Sequence, residues 1–255
     1  MDSELDESFE YIPRLMAGLP RQGPGSEECT AEALRRLPPV PAGARIYDLG
    51  CGPGLATVVL ARLLNQKVVA IDLRQEFEKE LCSNAEKAGV AHLVEFKCAD
   101  MLDVDAPPDS IHLVWSEGAI YCVGFDRGLA TLRPLLVKKG IVACTELSWL
   151  TAAPSARPAT FWKKHYPEMR SVAENLNSAE KLGYLCIDHF TLPLSCWWTE
   201  FYDPWMRNIE RLQKDAEHDK SLRDAIEYSL EEMDIFRNFN HEYGYEFYLL
   251  QKSNN

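Results

Sequence analysis

The sequence predicts an α/β fold, in which a doubly wound and mostly parallel sheet carries helices on both faces. Apolar, β-branched runs alternate with amphipathic segments along residues 45–147, and βα alternation of this kind gives a parallel sheet. Acidic or polar residues follow several of these runs. Open α/β sheets bind their ligands at the carboxyl ends of strands, so the pattern also predicts where a site would lie.

The most informative segment is a glycine-rich turn, Asp48–Gly54, which reads DLGCGPG. It follows the apolar pair Ile46-Tyr47 and precedes a predicted helix, Leu55–Leu64. Glycines allow the backbone to turn sharply and leave room for a ligand, and the helix N-terminus offers free N–H groups. The alternative is an ordinary βα turn with incidental glycines.

The glycine spacing excludes two common nucleotide motifs. A dinucleotide fingerprint requires G-x-G-x-x-G, but Leu55 occupies the position of the third glycine. A P-loop requires a lysine after its glycines, and the turn has none. Asp48 at the strand end would repel a pyrophosphate but suits a ligand with an ammonium or sulfonium group.

Two later strand ends support a nucleoside ligand. The predicted strand Lys67–Leu73 presents Asp72 about 20 residues after the turn, where doubly wound folds place a carboxylate against ribose hydroxyls. The alternative for Asp72 is a helix N-cap. After the strand Leu93–Cys98 comes Asp100-Met101, where the acid can accept from an exocyclic amine while the thioether packs on a purine. The alternative for Asp100 is a solvated loop acid.

Together with Ser116-Glu117, which follows the strand Ile111–Trp115, these segments resemble the class I S-adenosylmethionine-dependent methyltransferases. The resemblance covers residues 45–147 and implies a Rossmann-like, seven-stranded sheet. It implies S-adenosylmethionine as the cofactor, S-adenosylhomocysteine as its product, and no metal. The cofactor-binding residues that it implies are Asp48, Gly50, Cys51, Gly52, Gly54, Asp72, Leu73, Asp100, Met101, Ser116 and Arg21.

Glu117 is the first candidate for a catalytic residue, as a general base or a group that orients an amine. A contact to the cofactor ammonium, or a structural acid, is the alternative for Glu117. Tyr121 is a second candidate. A small side chain that fits a crowded turn is the interpretation of Cys51, and a redox switch is the alternative.

Three segments are similar to a bacterial, ubiquinone-biosynthesis-like subgroup of that family: Arg21–Ser26, Trp115–Tyr121 and the ending Tyr243–Leu250. This similarity implies methyl transfer to an O, N or C nucleophile of a small molecule. The competing interpretations are a nucleic-acid or protein methyltransferase of the same fold, a non-catalytic protein that binds the cofactor, and an NAD-dependent oxidoreductase.

Residues 1–44 precede the first strand and predict an N-terminal helical cap segment. Ser26 is positioned to cap a helix that ends at Arg35 and Arg36, before Pro38. From its position this segment is expected to close over the cofactor, and a mere linker is the alternative.

Residues 45–255 predict the core, with lid insertions at roughly 148–180 and 197–241. The remaining predicted elements are helices at Gln75–Ala88 and Asp126–Val137, strands at Ile141–Glu146 and Cys186–Leu192, and a long helix from Ser221 with Asp224 in a capping box. The resemblance implies a substrate lid in this part of the fold, which carries Trp149, Trp162, Trp197, Trp198 and Trp205. The first four of these are the predicted substrate pocket, for a flat ring or a cationic amine. Packing of the core and lid is the alternative.

The composition argues against several classes of binding partner. The net charge of −12 argues against an extended nucleic-acid surface, and no apolar run approaches the ~20 residues of a membrane span. The eight cysteines include no CxxC pair, and the acidic N-terminus does not resemble a signal peptide. These observations predict a cytoplasmic protein with a small-molecule substrate and no metal, nucleic-acid or membrane partner. A homodimer is left open.

Overall fold

The computed structural model describes residues 11–253, so part of the predicted cap segment, residues 1–10, lies outside the described residues. Its centre is a sheet whose strands follow the order β3-β2-β1-β4-β5-β8-β7. The strands are β1 (Ile46–Leu49), β2 (Val68–Asp72), β3 (Val94–Cys98), β4 (Ile111–Ser116), β5 (Leu136–Trp149), β6 (Arg170–Ser171), β7 (Tyr184–Thr191) and β8 (Tyr243–Lys252). This confirms the predicted seven-stranded sheet, to which the two-residue β6 adds a short pairing with β5.

The first five strands are mutually parallel, and β8 pairs antiparallel with both β5 and β7. The strand order reverses between β1 and β4, which lie side by side. In doubly wound sheets such a reversal opens a crevice at the carboxyl ends of the strands. The glycine turn follows β1 and Glu117 follows β4, so the fold brings both to this crevice.

Helices cover both faces. They are α1 (Glu27–Arg36), α2 (Leu55–Leu64), α3 (Phe77–Lys87), α4 (Phe125–Leu132), α5 (Ala156–His165), α6 (Val172–Lys181), α7 (Leu194–Trp197), α8 (Asp203–Leu212) and α9 (Lys220–Phe239). Two hydrophobic clusters lie on the two sides of the sheet, because adjacent strand residues point in opposite directions. Ile46 belongs to the cluster that includes α2 and α9, whereas Tyr47 belongs to the cluster that includes α4 and α6.

The helix predicted from Ser26 is present and begins as expected. The Ser26 hydroxyl accepts a hydrogen bond from the Cys29 N–H at 3.1 Å, the geometry of an N-cap. Arg35 and Arg36 lie in its last turn, where positive charges oppose the helix dipole.

Two predicted boundaries are wrong. The helix expected over Asp126–Val137 ends at Leu132, and β5 is already paired with β4 at Leu136. Pro134 explains the difference, because proline has no N–H to donate to the carbonyl four residues earlier in the helix. Strand β5 is correspondingly longer than the predicted Ile141–Glu146.

The long C-terminal helix begins at Lys220, with Asp219 as its N-cap, rather than at Ser221 with Asp224 in a capping box. The Asp219 carboxylate accepts from the Leu222 N–H at 3.0 Å. An aspartate is as good an N-cap as a serine and comes two positions earlier. None of the helices within residues 11–253 is long and apolar enough to cross a membrane.

Candidate active site

The glycine turn is shaped by the protein around it. Gly50, Gly52 and Gly54 have φ angles of 69°, 51° and 84°, a region that favours glycine. A Cβ atom on Gly54 would lie 1.8 Å from Leu81 Cδ1, and one on Gly50 would lie 2.3 Å from Ala119 Cβ. Two of the three glycines are therefore required by packing within the protein, independently of any ligand.

Asp48, at the head of the turn, is almost fully buried at the end of β1. The Thr57 hydroxyl in α2 donates to its carboxylate at 2.6 Å, which ties the strand to the helix behind the turn. Burial raises the pKa of Asp48 to about 7, because the charged form loses its water. A cation bound nearby would favour the charged form of this residue.

Asp72 closes the turn from the neighbouring strand. One carboxylate oxygen accepts from the Gly52 N–H at 2.8 Å and the other from the Arg74 N–H at 3.0 Å. Because a carboxylate offers about four acceptor positions, both oxygens can accept further hydrogen bonds from a ligand. Asp72 is partly exposed, so a ligand can reach it.

The other predicted cofactor residues occupy the same edge of the sheet in different environments. Asp100 is exposed and accepts from the Leu102 N–H, and Met101 Cε lies 3.1 Å from where a Cβ of Gly50 would be. Leu73 is 66% exposed. By contrast, Ser116 is buried and donates to the Leu49 carbonyl at 2.9 Å, a bond that joins the ends of β4 and β1.

Cys51 is buried within the turn, and that burial raises the pKa of its thiol. Redox switches use thiolates with lowered pKa values in exposed positions. The environment of Cys51 therefore favours the small, fitting side chain over the redox alternative.

Glu117 makes three hydrogen bonds. Arg21 Nη1 donates to Oε2 at 2.8 Å, and Oε1 accepts from the Thr30 hydroxyl at 2.6 Å and from Trp115 Nε1 at 2.8 Å. The Arg21 and Glu117 side chains are only 8% and 6% exposed. This buried ion pair fixes the N-terminal segment to the end of β4, and these contacts favour the structural alternative for Glu117.

The N-terminal segment lies over the glycine turn as a result. Residues 20–24 line one wall of a narrow cleft whose other walls are the turn and residues 117–118. Arg21 Nη2 is buried at this wall with no hydrogen-bond acceptor among the described residues. A buried guanidinium nitrogen without a partner is costly, so this donor is a ready contact for a ligand carboxylate.

A second cavity adjoins the cleft. It has a volume of about 260 Å³ and shares the wall formed by residues 22–24. Its lining combines residues of α5, α7, α8, α9 and β8 with the turn after β4: Tyr121, Leu147, Trp162, His165, Tyr166, Trp197, Phe201, Trp205, Tyr228, Glu232 and Tyr245, with Ile12 and Met16 from the N-terminal segment. We call it the aromatic cavity.

The four predicted pocket tryptophans fall into two groups. Trp162 and Trp197 line the aromatic cavity. Trp149 lines a different cleft and packs edge-on against Tyr243, with ring centres 5.9 Å apart. Trp198 lies beneath the Arg237 guanidinium, 4.9 Å from the ring centre, and does not line the cavity. Tyr121, the second catalytic candidate, is at the cavity wall and packs edge-on against Tyr166.

Sequence reasoning missed two acids near the cavity, the half-buried Glu232 and the buried Glu146. Glu232 of α9 lines it and accepts from the Tyr202 hydroxyl at 2.8 Å. Glu146 of β5 accepts from the Tyr166 hydroxyl at 2.6 Å, and its other oxygen has no partner within residues 11–253. Burial raises the pKa of Glu232 to about 6 and that of Glu146 to about 8. The i,i+4 spacing of Tyr228 and Glu232, which places both on one helix face, was the available signal for Glu232.

Residues 46–140 match a family model described as a methyltransferase domain. Two curated relatives match parts of the chain. The ribosomal protein arginine N-methyltransferase of Schizosaccharomyces pombe is 27% identical over 49% of this chain and 24% of its own length. The 27-O-demethylrifamycin SV methyltransferase of Amycolatopsis mediterranei is 31% identical over 35% of this chain and 34% of its own. The chain thus spans about a quarter to a third of the length of these relatives.

Solved structures resemble almost the whole chain. An S-adenosylmethionine-dependent methyltransferase from Geobacter sulfurreducens, solved with S-adenosylhomocysteine, has a TM-score of 0.78 at 22% identity, covering 94% of this chain and 97% of that one. The [4+2]-cyclase SpnF has a TM-score of 0.72 at 17% identity, covering 98% and 94%. At these identities the likeness concerns the fold, and it is the matched domain that carries the assignment. Residues 46–140 therefore form a methyltransferase domain, within a chain that shares the fold of S-adenosylmethionine-dependent methyltransferases.

Proposed function

We propose that this protein transfers the methyl group of S-adenosylmethionine to a small molecule bound in the aromatic cavity. The observation that supports the proposal most directly is the junction of the two cavities. The cleft over the glycine turn and the aromatic cavity share the wall formed by residues 22–24. A methyl donor in the first and an acceptor in the second would therefore be neighbours.

Residues of the cleft and of the neighbouring strand ends suit the charges and hydrogen bonds of the cofactor. Arg21 Nη2, buried and without an acceptor among residues 11–253, would bind its carboxylate. Asp72 would accept from the ribose hydroxyls, and Asp48 would offset positive charge near the turn. Asp100 and Met101 would contact the adenine from the end of β3.

The chemistry demands little of the protein beyond alignment. When bound, the cofactor supplies a methyl group on a sulfonium, which is already an activated leaving group. The chain then has to hold the acceptor in line with that methyl and keep water away. Such positioning accounts for about 7–11 kcal/mol of barrier in well-oriented reactions.

In this proposal Glu117 is a positioning residue. Its carboxylate already accepts three hydrogen bonds, one of them from the Arg21 guanidinium. A general base has to reach the acceptor proton, whereas Glu117 lines the cleft over the glycine turn and not the aromatic cavity. Glu117 would instead hold Arg21 in place, and with it residues 20–24 over the glycine turn. Tyr121 at the cavity wall stays a candidate for contact with the acceptor.

The preference for a small acceptor rests on enclosure and charge. Rings and the N-terminal segment surround the aromatic cavity, whose volume of about 260 Å³ is close to the lower end of typical small-molecule pockets, about 300 Å³. The net charge of −12 disfavours nucleic acid as the substrate. The ubiquinone-biosynthesis-like subgroup, the cytoplasmic location and a homodimer stay predictions.

The test is methyl transfer from methyl-labelled S-adenosylmethionine to a cell extract separated by size. We expect label in the small-molecule fraction, dependent on the protein and reduced in Asp72→Ala. Label in the protein fraction alone would transfer the assignment to a protein methyltransferase. Binding of the cofactor with no labelled product from either fraction would support the non-catalytic alternative.

A further inference from the structure

We propose that the aromatic cavity selects a substrate that carries a positively charged nitrogen on an apolar body, with Glu232 as the anchor of that charge. This inference rests on the proposed function and names the chemical class of its acceptor molecule. The observation behind it is a single carboxylate set among aromatic rings in a cavity lined, among the described residues, by no lysine or arginine.

Among residues 11–253, no cationic side chain pairs with the Glu232 carboxylate. That carboxylate accepts hydrogen bonds from the hydroxyls of Tyr202 and Tyr228, which are neutral donors. His165, the remaining basic side chain that lines the cavity among these residues, is held neutral, because burial lowers its pKa to about 4. A half-buried carboxylate with neutral donors alone lacks a counter-charge, and a bound cation would supply it.

The rings supply the second half of such a site. Trp197, Tyr228 and Tyr245 line the cavity together with Glu232. Aromatic faces attract cations through their quadrupole and also bury apolar groups well. The same surface would give nothing to an anion, which would meet a carboxylate and negative ring faces. Charge and shape therefore favour a cation over a neutral or negative ligand of the same size.

The rings that line the cavity pack against other aromatic rings of the protein. Trp197 stacks on Phe236 with ring centres 4.0 Å apart and meets Tyr245 at 5.2 Å. Tyr228 stacks on Phe161 at 5.6 Å. Contacts within the protein therefore hold these rings in place, which limits the ordering cost of recognition.

The experiment compares three probes of similar size: benzyltrimethylammonium, 2-phenylethanol and phenylacetate. Each is titrated into the full-length protein, with and without saturating S-adenosylhomocysteine, and followed by quenching of tryptophan fluorescence and by calorimetry. We expect the cation to bind at least about tenfold more tightly than the alcohol, and the anion to bind least. Equal affinities for the cation and the alcohol overturn the inference.

Glu232→Gln should remove the preference for the cation while leaving affinity for the alcohol within about twofold. The matched control is Glu231→Gln, an exposed acid on the same helix, which should keep the preference. A preference that survives Glu232→Gln also overturns the inference. If Glu232→Gln does not fold, the three probes on the unmodified protein still decide the matter.

The design separates this inference from the proposed function. Binding of S-adenosylhomocysteine is measured in the same titrations. If the protein binds S-adenosylhomocysteine but shows no preference for the cation, the proposed methyl transfer stands and the inference of a cationic substrate is wrong. If it prefers the cation but does not bind S-adenosylhomocysteine, the cation site stands and the proposed methyl transfer is wrong.

Discussion

Individual residues of the glycine turn serve the fold first. Gly54 combines a left-handed backbone with a Cβ position that Leu81 already fills, whereas Gly43 has the same backbone region, with φ of 75°, and open space around it. Comparing Gly43 with Gly54 therefore separates the effect of backbone strain from that of steric conflict. The sequence alone does not distinguish these two glycines.

We expect Gly43→Ala to cost about 1 kcal/mol of unfolding free energy, the strain of a left-handed alanine. Gly54→Ala should cost about 3 kcal/mol or more, because overpacking adds to the same strain. Denaturant unfolding of the two variants measures the difference. Equal losses would show that Leu81 moves aside without cost, contrary to the packing argument.

Asp72 carries the second prediction at this scale. Asp72→Ala removes acceptors for ribose hydroxyls and should weaken S-adenosylhomocysteine binding by about 1–3 kcal/mol in calorimetric titration. Asp105→Asn, an exposed acid in the loop after β3, is the control and should bind normally. Because Asp72 also holds the Gly52 N–H, unfolding is followed alongside to separate loss of binding from loss of fold. Unchanged affinity in Asp72→Ala would remove this residue from the ribose role.

At the scale of elements, residues 20–24, which lie over the glycine turn, are held in place by the buried ion pair of Arg21 and Glu117. Glu117→Gln leaves the Arg21 charge buried with only a neutral partner, and breaking such pairs costs about 3–5 kcal/mol. We expect faster amide hydrogen exchange over residues 20–26 and a lower melting temperature.

The exposed pair of Arg14 and Asp215, with side chains 48% and 55% exposed, is the matched control. Asp215→Asn should leave exchange in residues 20–26 unchanged, because surface ion pairs contribute about 0–1 kcal/mol. Similar exchange in the two variants would contradict the role given to Glu117.

The elements themselves were largely predictable where local signals were strong. Ser26 with its following acids located α1, and the strand-turn-helix pattern around Gly50 located the first βα unit. The prediction failed at Leu136, where a proline ended the helix early, and at the cap of the last helix, where Asp219 replaced the predicted capping box. Boundaries depend on which of several adequate residues the chain uses, and sequence periodicity does not rank them.

At the scale of the whole molecule, three acids with raised pKa values predict how stability varies with pH. The pKa values are about 7 for Asp48, about 8 for Glu146 and about 6 for Glu232. In the unfolded chain these acids titrate at about pH 4. Between that pH and their raised pKa values, the folded protein binds more protons than the unfolded chain. His165, whose pKa is lowered to about 4, acts in the opposite direction up to about pH 6.5. Because three acids outnumber this one histidine, stability should fall as the pH rises, most clearly above about pH 6.5.

Glu146→Gln should reduce the loss of stability with rising pH. An amide still accepts from the Tyr166 hydroxyl but has no charge to bury. The stability of the variant relative to the natural protein should therefore increase from pH 5 to pH 8. We expect a gain of at least about 2 °C in melting temperature at pH 8. The exposed Glu180→Gln should follow the natural protein at every pH, and a gain in Glu146→Gln that does not vary with pH would contradict the assignment.

The candidate site was predictable in one half only. Asp48, Asp72 and Asp100 each end or follow a strand, and the parallel sheet brings such ends together whatever lies between them. The aromatic cavity draws on Tyr121, Trp197, Glu232 and Tyr245, which are far apart in the chain and meet through packing. Tryptophan content pointed to the right region but not to the inward-facing members, so Trp149 and Trp198 were included and Trp205 was left out.

The central claim is that the cleft over the glycine turn binds the methyl donor. Calorimetric titration of the full-length protein with S-adenosylhomocysteine, and separately with NADH, tests it most directly. We expect one S-adenosylhomocysteine to bind per chain and NADH to give no heat of binding. Binding of NADH with none of S-adenosylhomocysteine would contradict it.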